Sequence, residues 1–123
     1  MDKDRFAFED LEVWQEAIDF ADRCLNMVEN LESDHKHYRL IEQLESACTS
    51  VSLNIAEGKG RFSRKEFVHF LYIARGSLFE TVTLLELFRR RSWINNSEFS
   101  SIKKAAIQLG KRISALINSI KKA

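Results

Sequence analysis

Apolar residues recur every three or four positions in four separate runs along the 123-residue chain. The runs cover roughly residues 10–31, 38–57, 64–91 and 97–122. This spacing places the apolar side chains on one face of an α-helix, because an α-helix completes a turn in about 3.6 residues. The pattern therefore predicts an all-α protein with four amphipathic helices.

Each predicted helix has a stripe of apolar residues that we expect to face a common core. In chain order the four stripes are Leu11, Trp14, Ile18, Ala21, Leu25 and Val28; Ile41, Leu44, Cys48, Val51 and Ile55; Phe67, Leu71, Ala74, Leu78, Thr81, Leu85 and Phe88; and Phe99, Ile102, Ala106, Leu109, Ile113, Leu116 and Ile120. Helices of similar length joined by short connections pack beside their neighbours in the chain. We therefore predict a single domain, residues 1–123, folded as an antiparallel up-down-up-down four-helix bundle.

Turn and capping residues mark the ends of the predicted helices. Gly58 follows an apolar run and is typical of a residue that ends a helix in the left-handed conformation. Ser63 and Glu66 have the spacing of a capping box, which starts the third helix. Either Asn96 or Ser97 is expected to cap the fourth helix.

The chain has more apolar surface than one bundle needs to bury. The apolar residues outside the stripes include Phe6, Phe8, Trp93 and Ile94, and in the third helix Phe70, Ile73, Phe79, Val82, Leu84 and Leu87. Surplus apolar surface on a soluble chain is usually covered by another subunit or a partner. We therefore expect a homo-oligomer in which the third helix contributes heavily to the contact.

Composition and charge narrow the class of protein. The chain contains no proline and only four glycines, which is typical of a helical protein. No apolar run approaches the roughly 20 residues that span a bilayer, so we expect a cytoplasmic protein without membrane contact. Residues 1–57 carry 14 acidic and 5 basic side chains, whereas residues 89–123 carry 9 basic and one acidic. Either acidic helices pack beside basic ones, or the basic part binds a polyanion.

The cysteines and histidines do not match a known metal-ligand spacing. Cys24 and Cys48 lie within apolar helical patterns and are expected to be buried free thiols rather than a disulfide. His35 and His37 fall in the polar segment 32–37, where solvated side chains are commoner than a zinc site. We therefore expect no metal and no cofactor.

A block in the centre of the chain resembles a known family. The matching residues are Asn54-Ile55-Ala56-Glu57-Gly58, Gly60-Arg61, Ser63, Glu66-Phe67, Phe70-Leu71, Ile73-Ala74, Gly76-Ser77-Leu78 and Glu80, with the opening Asp10-Leu11-Glu12-Val13-Trp14-Gln15-Glu16-Ala17. Through these residues the chain resembles the proteins of the 23S rRNA intervening-sequence family. The family pattern is less closely followed at Cys48-Thr49 and Ser52-Leu53, which affects no named role.

The resemblance implies a four-helix bundle that assembles as a ring-like homopentamer. Members are encoded in insertions within bacterial 23S rRNA genes and are also called S23 ribosomal proteins, but no settled activity accompanies the family. Bundles of similar architecture serve diversity-generating retroelements as accessory proteins, in which a basic pentamer binds nucleic acid and a reverse transcriptase. This second link depends on architecture and not on the matching residues.

Four polar residues of the second and third helices form a candidate buried cluster: Asn54, Glu57, Ser77 and Glu80. Such a cluster fixes helix register, because each buried polar group needs a hydrogen-bond partner. A ligand pocket or acid–base site is the alternative, but the sequence supplies no paired nucleophile and base. We favour the structural role and expect no catalytic residues. Gly76 is expected to let another helix approach closely, since glycine weakens a helix by about 1 kcal/mol.

Two groups of basic residues are candidate phosphate contacts. The first group is Arg89, Arg90, Arg91, Lys103, Lys104, Lys111 and Arg112. The second group is Lys59, Arg61, Arg64 and Lys65, which we expect at the opposite end of the bundle from the three arginines. A solvated basic face is the alternative to a nucleic-acid interface. No interleaving of aromatic and basic residues is recognised, so binding is expected to be independent of sequence.

The sequence favours a non-enzymatic, oligomeric bundle that binds RNA or DNA through the first basic group. The alternative is a protein–protein scaffold with no nucleic-acid ligand, whose partner meets the acidic first helix or the exposed aromatic residues. An enzyme would require Glu57 and Glu80 to converge in an open cavity with a metal.

Overall fold

The computed structural model describes residues 4–31 and 37–123, which fold almost entirely into helices. A short 3-10 helix, Ala7–Asp10, precedes α1 (Glu12–Glu29), and α2 (Tyr38–Lys59), α3 (Arg64–Arg90) and α4 (Asn96–Lys122) follow. The described residues contain no β-strand. Each bound of the four long helices lies within two residues of the position expected from the apolar pattern. The expectations for residues 32–36, including a solvated His35, lie outside the described residues.

The four long helices surround one apolar core. α1 packs against α2, α2 against α3, α3 against α4, and α4 packs back against α1. The 3-10 helix lies against α1 and α2. Phe88 is the largest of the fully buried side chains. Burial of each such apolar side chain contributes about 1.5–3 kcal/mol, so this shared core is the main source of stability.

The core stripes predicted for α2, α3 and α4 are largely confirmed, whereas the stripe predicted for α1 lies at the edge of the core, apart from the buried Ala21 and the exposed Ile18. The buried residues of α1 are Val13, Ala17, Phe20, Ala21, Cys24 and Met27. Ile18 of the predicted stripe is instead 40% exposed, and Trp14 lies at the edge of the core. α1 has two apolar stripes side by side, and spacing alone fits both. The small side chains of Ala17 and Cys24 on the buried stripe let the neighbouring helices come close.

The turn between α3 and α4 belongs to the core of the protomer. Trp93 and Ile94 are only 8% and 6% exposed. The ring of Trp93 lies 5.0 Å from that of Phe88 and 4.6 Å from that of His37, measured between centroids. The expectation that Trp93 and Ile94 supply spare apolar surface for a partner is therefore wrong. The same contact places His37 against an aromatic ring rather than fully in solvent.

The caps of α3 and α4 use side-chain oxygens, as expected, although one cap is displaced. The Ser63 hydroxyl accepts a hydrogen bond from the Glu66 backbone N–H at 3.1 Å, which confirms the predicted start of α3. Asn95, and not Asn96 or Ser97, caps α4 by accepting from the N–H three residues later at 2.7 Å. Asn95 has the extended backbone that an N-cap requires, whereas Asn96 is already helical.

Gly58 lies inside α2 rather than at its end. α2 continues to Lys59, and no described glycine has a positive φ, so the predicted left-handed termination does not occur. A Cβ atom built on Gly58 would lie 2.7 Å from the Cβ atom of Phe70. Glycine is therefore needed here for the close approach of α3 to α2. Gly76, from which this role was expected, has nothing within 4 Å of a Cβ atom built on it.

Gly58→Ala is expected to lower the free energy of unfolding by about 1–3 kcal/mol, because its methyl group would overlap Phe70 and push α2 away from α3. Gly76→Ala is the matched control, since its methyl group meets no atom of the protomer and alanine favours a helix by about 1 kcal/mol. Urea denaturation followed by circular dichroism, at a concentration low enough to give monomers, measures both. Equal loss of stability in the two variants would contradict the close approach at Gly58.

Candidate nucleic-acid interface

The basic residues of α4 do not lie on one side of the helix. Successive helical residues are turned by about 100°, so residues seven apart share a side. Lys104 and Lys111 have this spacing, are exposed, and form no ion pair within the described part of the chain. The Lys103 ammonium instead lies 5.6 Å from the centroid of the Phe99 ring, toward α3. Only Lys104 and Lys111 of the predicted α4 residues therefore form an outward line.

Arg112 faces α1, where two carboxylates bind it. Its guanidinium lies 3.1 Å from a Glu12 oxygen and 2.6 Å from a Glu16 oxygen. Two carboxylates offset the positive charge of this guanidinium, so its net attraction for a phosphate is weak. The prediction of Arg112 as a phosphate contact is therefore not supported, and at this position an acidic helix packs beside a basic one within the protomer.

The three arginines at the end of α3 are only partly available as cations. Both oxygens of Glu86 accept hydrogen bonds from the Arg89 guanidinium, at 2.7 and 3.0 Å. Arg90 Nε lies 3.4 Å from the same carboxylate. The hydrogen bond from Arg89 lowers the pKa of Glu86 to about 2, so the carboxylate is charged at neutral pH and offsets one positive charge. Arg91 is exposed and unpaired among the described residues.

The predicted polar cluster is wrong for its two glutamates. Glu57 and Glu80 are exposed, because a carboxylate is costly to bury without a full set of partners. A polar contact between α2 and α3 is made by the hydroxyl groups of Ser77 and Ser50, whose oxygens lie 2.9 Å apart. Asn54 Nδ2 donates to the Ser50 hydroxyl at 2.9 Å and to its carbonyl oxygen at 2.8 Å. Ser50, one helical turn before Asn54, is the member that sequence reasoning missed.

The second basic group flanks an exposed aromatic residue in the sequence. Phe62 is completely exposed, and Lys59, Arg61, Arg64 and Lys65 flank it in the chain. The sequence-based statement that no aromatic residue is interleaved with basic ones is therefore wrong at this corner. The signal was present in the sequence, because Phe62 is the one large apolar residue between Lys59 and Lys65.

The three arginines of the first basic group and the second basic group lie at opposite ends of α3. Arg64 begins and Arg90 ends this 27-residue helix. At 1.5 Å per residue the helix is about 40 Å long, so one phosphate cannot reach both groups. The end of α4 joins the corner, because Lys65 and Lys121 line the same cleft. The bundle therefore has two separate cationic surfaces.

An apolar groove runs along the outside of the bundle between α3 and α4. Its volume is about 610 Å³, and Phe79, Val82 and Ile107 line it, with Lys111 at its side. A smaller cleft of about 340 Å³ shares Val82 and extends the groove to Leu87. Phe79, Ile107 and Leu87 are all exposed in the protomer. A contiguous apolar surface of this kind typically marks a contact with another chain.

The buried Cys24 thiol offers little reactivity. Cys24 and Cys48 are free and fully buried. The hydrogen bond with Cys48 and burial raise the pKa of the Cys24 thiol, so it stays protonated at neutral pH and is a poor nucleophile. Within residues 4–31 and 37–123, no group of three or more histidine, cysteine, aspartate or glutamate side chains is placed to hold a metal ion. Across the same residues, none of the helices has the length and apolar content required to traverse a membrane.

Four long helices around one core, with cationic ends and an apolar outer groove, define a small all-helical bundle protein. The chain matches the model of the 23S rRNA-intervening sequence protein family over residues 9–115, and it belongs to that family. It is also similar to the crystal structure of a protein of unknown function from the S23 ribosomal protein family of Bacteroides thetaiotaomicron. The two share 28% sequence identity and a TM-score of 0.80 over 85% of this chain and 97% of that chain. No curated protein matches the chain.

Proposed function

We propose that the protein is a cytoplasmic, non-enzymatic bundle that assembles with copies of itself into a ring and binds RNA or DNA through a basic surface. The name of its family links the family to 23S rRNA. The proposed phosphate contacts are the members of the first basic group that have no carboxylate closer than 3.4 Å among the described residues, namely Arg90, Arg91, Lys103, Lys104 and Lys111. Arg89 and Arg112 are left out because carboxylates hold them.

The proposal includes an up-down-up-down order of the four helices. Contacts of Arg112 with Glu12 and of Arg23 with Ser101 support an antiparallel pairing of α1 and α4, since early residues of one helix meet late residues of the other. The short connections between α2 and α3 and between α3 and α4 favour the same order. In such a bundle α3 and α4 present their shared groove on one side.

Self-association is supported by the groove and by Gly76. Gly76 lies on the exposed side of α3, close in sequence to Phe79, and makes no use of its missing side chain within the protomer. Glycine in a helix weakens it by about 1 kcal/mol, so a packing reason outside the protomer is expected. A second copy lying along α3 would supply that reason and would cover Phe79 and Ile107. Five copies, the number that the family resemblance implies, would close a ring.

One observation above all supports nucleic-acid binding: the outward side of α4 carries Lys104 and Lys111 with no carboxylate beside them. Glu98, in the first turn, is the single acidic residue of α4. Unpaired lysines release counterions when they meet phosphates, which favours binding of a polyanion. Lys111 also borders the apolar groove. In a ring the pair would therefore be repeated beside each contact between copies, and multivalency would increase the affinity.

A protein–protein scaffold is the second candidate, and the exposed groove between α3 and α4 is the observation that favours it. In that case the groove binds a different protein, such as a reverse transcriptase, instead of a second copy. The two candidates differ in what occupies Phe79 and Ile107 and in whether a polynucleotide is bound at all.

Native mass spectrometry of the purified protein, before and after nuclease treatment, tests the proposal. We expect a complex of several identical chains whose excess mass, from bound polynucleotide, disappears after nuclease treatment. A single chain without polynucleotide in both samples would contradict both parts of the proposal. A stable complex with one other protein, unchanged by nuclease, would favour the scaffold.

A further inference from the structure

We propose that Phe62 and the cations around it form a second nucleic-acid site, which binds an unpaired nucleotide of a single strand. The observation behind this proposal is a fully exposed aromatic ring located between two cleft-lining, cationic segments of the chain. The proposal depends on the proposed function in one respect, namely that nucleic acid is the ligand. It concerns a different surface, at the end of the bundle remote from Arg91.

Phe62 has no evident part in folding the protomer. It lies in the bend between α2 and α3, and its side chain is completely exposed to solvent. The neighbouring aromatic residues Phe67 and Phe70, by contrast, are partly buried and pack within the bundle. The Phe62 ring is therefore accessible to a ligand from outside the protomer.

A cationic cleft of about 380 Å³ begins two residues after Phe62. Arg64, Lys65 and Lys121 line it together with apolar residues of α3 and α4. Among the described residues no acidic side chain lines this cleft, and its lining includes Ala123. Three cationic side chains around one cleft suit a phosphate group, which accepts charge-assisted hydrogen bonds from each of them.

A second cleft of about 680 Å³ lies on the other side of Phe62 in the chain, between the 3-10 helix and α2. Lys59 and Arg61 line it, with apolar side chains such as Leu53. Glu57 binds Arg61 at 2.5 Å and so offsets its charge, and the Arg61 guanidinium lies 4.8 Å from the centroid of the Phe70 ring. The Lys59 ammonium lies 5.8 Å from the centroid of the Phe67 ring and, within the described residues, has no carboxylate partner, so less of the Lys59 charge is offset than of the Arg61 charge.

Single-stranded nucleic acids bind where bases stack on aromatic rings and phosphates follow cationic grooves. A strand with a phosphate in the Arg64 cleft brings the attached base within reach of the Phe62 ring. The bases of a duplex are already stacked on one another, so this ring distinguishes single strands from duplexes. Charge complementarity favours a polyanion at this corner, because Arg64, Lys65 and Lys121 line one cleft.

Fluorescence anisotropy tests the proposal with a labelled oligo-dT of about 15 nucleotides and a duplex of the same length, at about 0.1 M salt. We expect Phe62→Ala to weaken oligo-dT binding about 5- to 150-fold and duplex binding less than about twofold. Phe62→Trp, which keeps an aromatic ring at this position, is expected to retain the single-strand binding that Phe62→Ala loses. Ile18→Ala, which removes an exposed apolar side chain from α1, leaves both affinities unchanged. Because Phe62 is fully exposed, none of these variants is expected to unfold the protein.

Arg64→Gln should weaken the binding of both oligo-dT and the duplex. For oligo-dT, the slope of log affinity against log salt should fall by about 0.7. If Phe62→Ala and the wild-type protein bind oligo-dT with equal affinity, the proposal is wrong. It is also wrong if Phe62→Ala lowers the mass of the oligomer, because the Phe62 side chain would then form a contact between copies. Lys104→Gln/Lys111→Gln separates the two surfaces, since it should weaken single strands and duplexes alike. If that variant binds the duplex normally and Phe62→Ala binds single strands more weakly, the α4 surface is not a nucleic-acid site and the Phe62 site is supported. If the wild-type protein binds neither oligo-dT nor the duplex, both proposed nucleic-acid sites are wrong.

Discussion

Phe79→Glu is expected to convert the protein from an oligomer into a folded monomer. Phe79 is 59% exposed in the protomer and lines the groove between α3 and α4. Glutamate at this position meets water in the monomer but apolar side chains in the assembly. A carboxylate left without a partner in an apolar contact costs several kcal/mol, and about 4 kcal/mol corresponds to a 1,000-fold lower association constant for each contact. Size-exclusion chromatography with light scattering, at micromolar concentration, measures the mass.

Tyr38→Glu is the matched control for this prediction. Tyr38 is also an aromatic residue with 59% exposure, but it begins α2 and does not line the groove. We expect it to keep the oligomeric mass, and we expect both variants to keep the helical circular dichroism spectrum of the wild-type protein. An unchanged mass in Phe79→Glu would show that copies do not meet through this groove. The same loss of mass in both variants would point to a general effect of added negative charge.

The periodicity of apolar residues was sufficient to predict three of the four core faces. In α2, α3 and α4 one apolar stripe is clearly richer than the alternatives, so the spacing rule selects a single face. In α1 the residues of two adjacent stripes are all apolar, and burial of Val13 and Phe20 rather than Ile18 depends on how the other helices pack. Sequence spacing contains no information about that packing.

The choice of which α1 face is buried also explains why the ion pairs of Arg112 were not predicted. Because α1 turns its Val13 side toward the core, Glu12 and Glu16 meet Arg112 of α4. The sequence gives the position of each charged residue along its own helix, but not which charged residue of a neighbouring helix lies opposite. The Glu86–Arg89 pair was accessible in principle, since residues three apart on a helix are neighbours.

Glycines and bends were the other source of error. Gly58 was interpreted from its position after an apolar run, whereas its role depends on the distance to Phe70 of another helix. Helical spacing does not identify Phe62, because Phe62 lies in the bend between α2 and α3. Long-range packing and exposure are therefore the two properties that the one-dimensional pattern does not determine.

Lys104→Gln/Lys111→Gln is expected to weaken duplex binding about 100-fold at 0.1 M salt. Each lysine that contacts a phosphate of duplex DNA contributes about 0.9 to the slope of log affinity against log salt, which at 0.1 M corresponds to about a tenfold gain. Both lysines are exposed on the outward side of α4 and unpaired within the described residues, so their charge is available. Anisotropy titrations at several salt concentrations should show the slope reduced by about 2.

The control for this prediction lowers the net charge by the same amount elsewhere on the bundle. Asn26→Asp/Gln43→Glu also lowers the net charge by two, at exposed positions of α1 and α2. If the affinity depends on the net charge of the whole molecule, both double variants weaken binding equally. If the outward side of α4 touches the phosphates, the lysine variant alone reduces the slope, because counterion release counts contacts and not total charge. A slope that both variants leave unchanged would mean that the polyanion binds elsewhere on the protein.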